Sequence, residues 1–181
     1  MSKFYNSAVV IIPPQEKRDS IQEIRAIHDR GFNRWMPHIT LIYPFRPKTQ
    51  YMTLEKEFSE KCRTIKPFEL LFRNFKFFSH GDQFFTLWLD PEPADLIINL
   101  QTEILKLVPD CNDVNKYKNG FIPHLSVGQI KGKQNLLEVI SKLQKNWKDI
   151  TFLLDKIYFI FRENIKTSQF EIAKQILFNT E

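Results

Sequence analysis

Cysteine is scarce in this chain: Cys62 and Cys111 are the only two, and they do not form a metal-binding spacing, so both read as ordinary reduced thiols. Histidine is limited to four positions. No carboxylate or second close histidine supplies the short spacing a zinc site needs, so no metal or other cofactor is expected. Long hydrophobic runs are missing too. The apolar stretch over residues 7–14 is too short to span a bilayer and sits in a strand-like setting, so no membrane partner is expected. Met1 to Phe4 carries no signal-peptide pattern, which makes a cytosolic or nuclear location the expectation. Low-complexity segments, coiled-coil repeats and an interdomain linker are all absent.

What remains is a globular composition, with 43% hydrophobic and 26% charged residues. The 17 phenylalanines can supply much of a core, since an aromatic side chain buries roughly 150–250 Å². A length of 181 residues fits a single two-lobed domain over 1–181, expected to be a monomer. Lys and Arg exceed Asp and Glu to give a net charge of +5, which suits a phosphate-bearing substrate and also suits a plain soluble protein.

The periodicity predicts an alternating order of elements. Residues 7–12 read as a β-branched strand ended by Pro13 and Pro14. A helix over 15–29 carries Ile21, Ile24 and Ile27 at near-helical spacing, and Gly31 stops it. A strand over 38–43 is closed by Pro44, and a helix over 53–64 places Leu54, Phe58 and Cys62 four apart, with Thr53 as N-cap. Strands over 68–78 and 83–90 flank a turn at 79–82. A helix starting at Pro93 bears Leu96, Leu100, Ile104 and Leu107, and a polar stretch leads to a strand over 124–130. Leu136, Ile140, Leu143 and Trp147 mark a fourth helix, and two last strands run over 150–161 and 170–178.

Two of these strands begin with nearly the same word. Pro37-His38-Ile39-Thr40-Leu41 and Pro123-His124-Leu125-Ser126-Val127 each read proline, histidine, aliphatic, hydroxyl, aliphatic. Side chains alternate faces along a strand, so His38 and Thr40 share one face, as do His124 and Ser126, while the aliphatic residues point into a core. Side by side, the strands would aim two imidazoles and two hydroxyls into one cleft. Acid and base acting together on a phosphodiester need those parts and no metal. Either motif alone is better explained as a half-buried, hydrogen-bonded histidine. The duplication is what argues for chemistry.

On His38, Thr40, His124 and Ser126, and on the order of strands and helices, the chain resembles the two-histidine (2H) phosphoesterase superfamily, which includes RNA 2′,5′-ligase-like proteins and cyclic phosphodiesterases. The resemblance implies an α+β, bilobal fold in which two pseudo-twofold-related lobes of antiparallel sheet, flanked by helices, enclose a central groove lined by both motifs. It implies metal-independent opening of a 2′,3′-cyclic phosphate on an RNA end or small nucleotide to a monophosphate. His38 and His124 would be catalytic, with His124 as base and His38 as acid, and Thr40 and Ser126 would bind the phosphate. Hydrolysis of 2′,5′-linked oligoadenylate, 3′-end trimming and RNA ligation could use the same histidines, and a non-catalytic RNA-end-binding module is the alternative from another class. The run from Trp35 to Phe45 looks more like eukaryotic relatives than bacterial ones.

Tyr43, Phe45 and Arg46 follow the first motif, where aromatic faces could stack on a base and a guanidinium could meet phosphate, and a strand end plugging the lobe explains them equally well. Tyr117, between Lys116 and Lys118 ahead of the second motif, is a further substrate-binding candidate beside the reading as a solvated loop. His28 lies on the apolar stripe of its helix and reads as structural, and His80 reads as a turn residue.

Overall fold

The computed structural model describes residues 3–116, 119–163 and 167–179. Eight strands form one antiparallel sheet: β1 (Ser7–Ile11), β2 (Ile39–Ile42), β3 (Phe68–Ser79), β4 (Phe84–Glu92), β5 (Leu125–Lys131), β6 (Ile150–Leu154), β7 (Lys156–Phe161) and β8 (Glu171–Leu177). Four helices accompany them: α1 (Asp19–His28), α2 (Tyr51–Cys62), α3 (Ala94–Leu105) and α4 (Lys133–Asn146). The sheet order is β6-β3-β4-β5-β2-β1-β7-β8, so the two motif strands meet at its centre with three strands on either side.

The expected α+β architecture is present, with differences of local physical origin. The strand expected over 150–161 is broken at Asp155 into β6 and β7, which occupy the first and seventh places in the sheet. One nearly continuous segment therefore joins the two outer regions, which requires the sheet to curl. The helix expected from residue 15 opens as a short 3₁₀ turn at Gln15–Lys17 before α1 begins at Asp19. Helix α2 starts at Tyr51, which places Thr53 inside the helix rather than at its cap. In α3 the buried stripe is Ile97, Leu100, Gln101 and Ile104, while Leu96 is exposed.

All four helices contribute to one large core on the outer face of the sheet. Phe45, Tyr51, Phe58 and Phe159 cluster there, with the Phe58 and Phe159 rings edge-on at 4.9 Å. Such aromatic pairs add roughly 0.5–1.5 kcal/mol beyond the area they bury. The opposite face carries a second cluster, Ala8, Val10, Ile12, Ile160 and Phe170, without a helix over it. This inner face is the groove.

The helices are exchanged between the lobes. Helix α1 leaves β1 but packs on β5 across the seam, whereas α3 leaves β4, the neighbour of β5, and packs against β2. Gly128 permits the first crossing, because a Cβ there would lie 2.5 Å from the His28 Cβ.

Candidate active site

Strands β2 and β5 pair antiparallel with Ile39 opposite Leu125, and both residues are fully buried on the core side. Continuing that register by one residue each way sets His38 across from Ser126 and Thr40 across from His124. All four side chains then point to the groove, and all four are half-buried. Diagonal neighbours of this kind have side-chain origins about 7–8 Å apart, within reach of a phosphate between two imidazoles.

Each motif strand contains an irregularity at the same place. Val9 pairs with Ile42 and Val10 with Thr40, leaving Leu41 as an extra residue in β2. Leu87 pairs with Gly128 and Trp88 with Ser126, leaving Val127 as an extra residue in β5. Both bulges follow the hydroxyl residue directly. They shift the phase of the strand, so that Leu41 and Ile42, and likewise Val127 and Gly128, are buried in succession. A bulge bends its strand and re-aims the neighbouring side chain, which here is the hydroxyl facing the groove.

The two histidines are held identically. The Nδ1–H of His38 donates to the Met36 carbonyl and that of His124 to the Ile122 carbonyl, each at 2.7 Å. A carbonyl can only accept, so the proton of the neutral ring sits on Nδ1 and the Nε2 lone pair is left for the groove.

Their surroundings differ. Burial pushes the His38 imidazole down to about 4; the Met36 carbonyl opposes this, while the positive charges of Arg25 and His124 push it lower and Asp29 raises it. His124 is also lowered by burial, with the Ile122 carbonyl opposing. Trp35 stacks on the His38 ring with centroids 4.8 Å apart and on Phe170 at 3.6 Å. Phe78 meets His124 edge-on at 4.9 Å and stacks on Trp88.

Arg25 is a residue whose part in this arrangement the sequence pattern did not disclose. It is 2% exposed, and its guanidinium donates to Asp29 Oδ2 at 2.7 Å, to Gln22 Oε1 at 2.8 Å and to the Trp35 carbonyl at 2.9 Å. Asp29 in turn accepts from the Gly31 backbone and from Gln129 of β5. This buried network holds the turn that carries Trp35 against His38. The only sequence signal is an arginine next to Ile24 on the apolar side of α1, which periodicity alone reads as an ordinary interfacial residue.

The secondary candidates divide. Tyr43 lies on the groove side, edge-on to Trp35, and donates its hydroxyl proton to the Tyr5 carbonyl. Phe45 does not line the groove: it is fully buried in the outer core among Tyr51, Phe58 and Phe159. Arg46 is also turned inward, 3% exposed, and pairs with Asp110, which removes it from the phosphate role considered above. Tyr117 lies outside the described residues. His28 is half-buried at the C-terminal end of α1, and His80 Nε2 bonds the Thr86 hydroxyl at 2.8 Å. Among the described residues no cluster of three His, Cys, Asp or Glu side chains is placed to hold a metal ion, and no helix is long and apolar enough to cross a membrane.

Solved structures share this architecture. Escherichia coli LigT complexed with ATP superimposes with a TM-score of 0.61 at 13% identity, covering 96% of this chain and 98% of LigT. TT0787 of Thermus thermophilus gives a TM-score of 0.60 at 15% identity, covering 97% and 98%. In sequence, the protein named "Putative phosphoesterase GK0864" of Geobacillus kaustophilus (strain HTA426) is 23% identical over 155 residues, which is 85% of this chain and 86% of that protein. The 2′-5′ RNA ligase superfamily matches residues 13–166, and with the paired histidine motifs seated at the centre of a LigT-like sheet, the chain belongs to that superfamily.

Proposed function

We propose that this protein is a phosphodiesterase that opens 2′,3′-cyclic phosphates on RNA ends or small nucleotides to a monophosphate, using only protein groups for the chemistry. The observation that carries the reading is the cross-strand placement of the two motifs, with each histidine fixed through Nδ1 and presenting Nε2 to the same groove. The co-crystals of LigT with ATP and 3′-AMP support a nucleotide-sized ligand.

In the proposed reaction a water oxygen attacks phosphorus and loses its proton to one imidazole. The bond from phosphorus to one ribose oxygen breaks, and the other histidine, as imidazolium, protonates that oxygen. Thr40 and Ser126 donate to the non-bridging oxygens as their charge grows. Each positioned proton transfer contributes roughly 100-fold to 10,000-fold.

The family resemblance puts the base at His124 and the acid at His38. Burial and Arg25 keep His38 neutral in the free protein near neutral pH. The acid role at His38 therefore requires that the substrate's phosphate anion restore its proton on binding, since an adjacent negative charge favours the imidazolium.

The test is steady-state turnover of adenosine 2′,3′-cyclic phosphate with chelator present, alongside 2′,5′-linked oligoadenylate, with products identified by mass. The reading expects a nucleoside monophosphate from the cyclic substrate. Turnover of the 2′,5′-linked substrate alone, or turnover that vanishes with chelator and returns with a divalent ion, would overturn it.

A further inference from the structure

Beside the histidine pair lies a second feature that the cyclic-phosphate chemistry does not use. A cavity of about 370 Å³ opens from the His38–Ser126 corner of the seam toward the turn after α1, lined by His38, Ser126, Trp35, Gln129, Arg30 and Arg34. Arg25 and Asp29 also border it, and they neutralise each other through the 2.7 Å ion pair described above. Asp29 is committed further, accepting from the Gly31 amide at 2.8 Å and from Gln129 at 3.3 Å. Arg30 and Arg34 are different. Both side chains are exposed, and neither forms an ion pair among the described residues. Their backbones are nevertheless fixed: the Arg30 amide donates to Gln129 Oε1 at 2.9 Å, and the Arg34 carbonyl accepts from Phe170 at 2.9 Å.

The cavity thus has two uncompensated guanidinium groups on an anchored turn, and it is continuous with the residues assigned to the reacting phosphate. Guanidinium is the side chain best matched to the geometry of phosphate oxygens. A substrate with a single phosphate would be held at the histidines and leave this positive wall unused. We infer that Arg30 and Arg34 form a subsite for a second phosphate of the same substrate, so that the preferred ligand is a nucleotide bearing a phosphate besides the reacting one, as an oligonucleotide end or a 5′-phosphorylated nucleoside 2′,3′-cyclic phosphate does. This inference rests on the phosphodiesterase reading for the identity of the reacting group.

Binding separates the two ideas, because it needs no turnover. Calorimetry with adenosine 3′-monophosphate and adenosine 3′,5′-bisphosphate is expected to show the bisphosphate at least tenfold tighter at low salt, with the advantage shrinking as salt screens the exposed charges. The double variant Arg30→Gln/Arg34→Gln should lose most of that advantage. Arg63→Gln, which removes a like charge beyond the end of α2, should keep it. Equal affinities for the two ligands in the wild type, or an advantage that survives in the double variant, would overturn the subsite. A preserved advantage that depends on both arginines, in a protein that turns over no cyclic phosphate, would keep the subsite and sink the phosphodiesterase reading.

Discussion

Ile39 and Leu125 lie directly opposite one another across the seam between β2 and β5, each the middle residue of its five-residue motif. That pairing makes the site a rectangle: each histidine faces the hydroxyl of the other strand, and the histidines take opposite corners. In the proposed reaction, a phosphate over the centre would meet an imidazole and a hydroxyl from each lobe.

Replacing either histidine by alanine should lower turnover of a cyclic nucleotide by two to four orders of magnitude, the range for a positioned acid or base. Folding should survive, because among the described residues the hydrogen bond of each ring goes to a carbonyl two residues away in its own approach segment. Turnover by rapid assay and thermal melts by circular dichroism check the pair. A fully active His38→Ala protein would remove the catalytic proposal.

Acidification should destabilise the wild type through His38. Its folded pKa of about 4 lies below the unfolded value of about 6.5, so between these pH values the unfolded chain binds the extra proton and stability falls as pH drops. At pH 5 the loss is about 2 kcal/mol relative to neutral pH, taking roughly 1.4 kcal/mol per unit. Urea unfolding of wild type and His38→Gln at pH 7 and pH 5 isolates it. An equal pH response in both proteins would contradict the assignment.

The same argument predicts proton uptake on ligand binding. Nucleoside monophosphate should bind more tightly as pH falls from 7 toward 5, since the imidazolium form is the better partner for the anion. Calorimetry in buffers of different ionisation enthalpy reads the proton directly. No uptake at pH 6 would show that the free protein already carries the charge.

Arg25→Met should cost about 3–5 kcal/mol, the usual penalty for leaving one partner of a buried ion pair alone, here Asp29. It should also move the alkaline limb of the pH–rate profile upward, because His38 works as the protonated acid and the charge that helps keep it neutral is gone. Arg25→Lys retains the charge and should leave that limb near its wild-type position while losing some stability. A purely structural arginine would change stability without moving the limb.

Gly128→Ala should destabilise the protein by about 1–3 kcal/mol, the range for overpacking, since the new Cβ meets both the His28 Cβ and its backbone. Relief requires α1 to lift from β5, two residues beyond Ser126, so turnover should fall as well. Denaturant unfolding and kcat measured on the same preparation would show the two losses together.

The quartet is legible in the sequence because strand alternation is a property of the backbone alone: once His38 and Thr40 share a strand, they share a face. The pairing of the motifs follows from their duplication. The bulges at Leu41 and Val127 are not legible, because an extra residue in a ladder shows only against its partner strand, and β1 and β4 lie elsewhere in the chain. Arg46 misleads for a related reason. Its partner Asp110 is far along the chain, and a strand-end arginine looks the same whether it turns inward or outward. The break at Asp155 is hidden by an apolar run that serves two strands, and Arg25 by the habit of reading arginine as surface.

The exchange of α1 and α3 across the seam bears on how the protein comes into being. A chain halted after β4 would have β1 and β2 without their partners β7 and β5, and α1 without the strand it covers. Neither half owns a complete hydrophobic layer, so neither offers a stopping point during assembly, and closure must wait for contacts between segments distant in sequence, which slows folding. The two imidazoles therefore acquire each other only in the last stage of that process. Recovery of catalysis after dilution from denaturant should coincide with recovery of the whole tertiary signal, with no earlier species that is half-built and active.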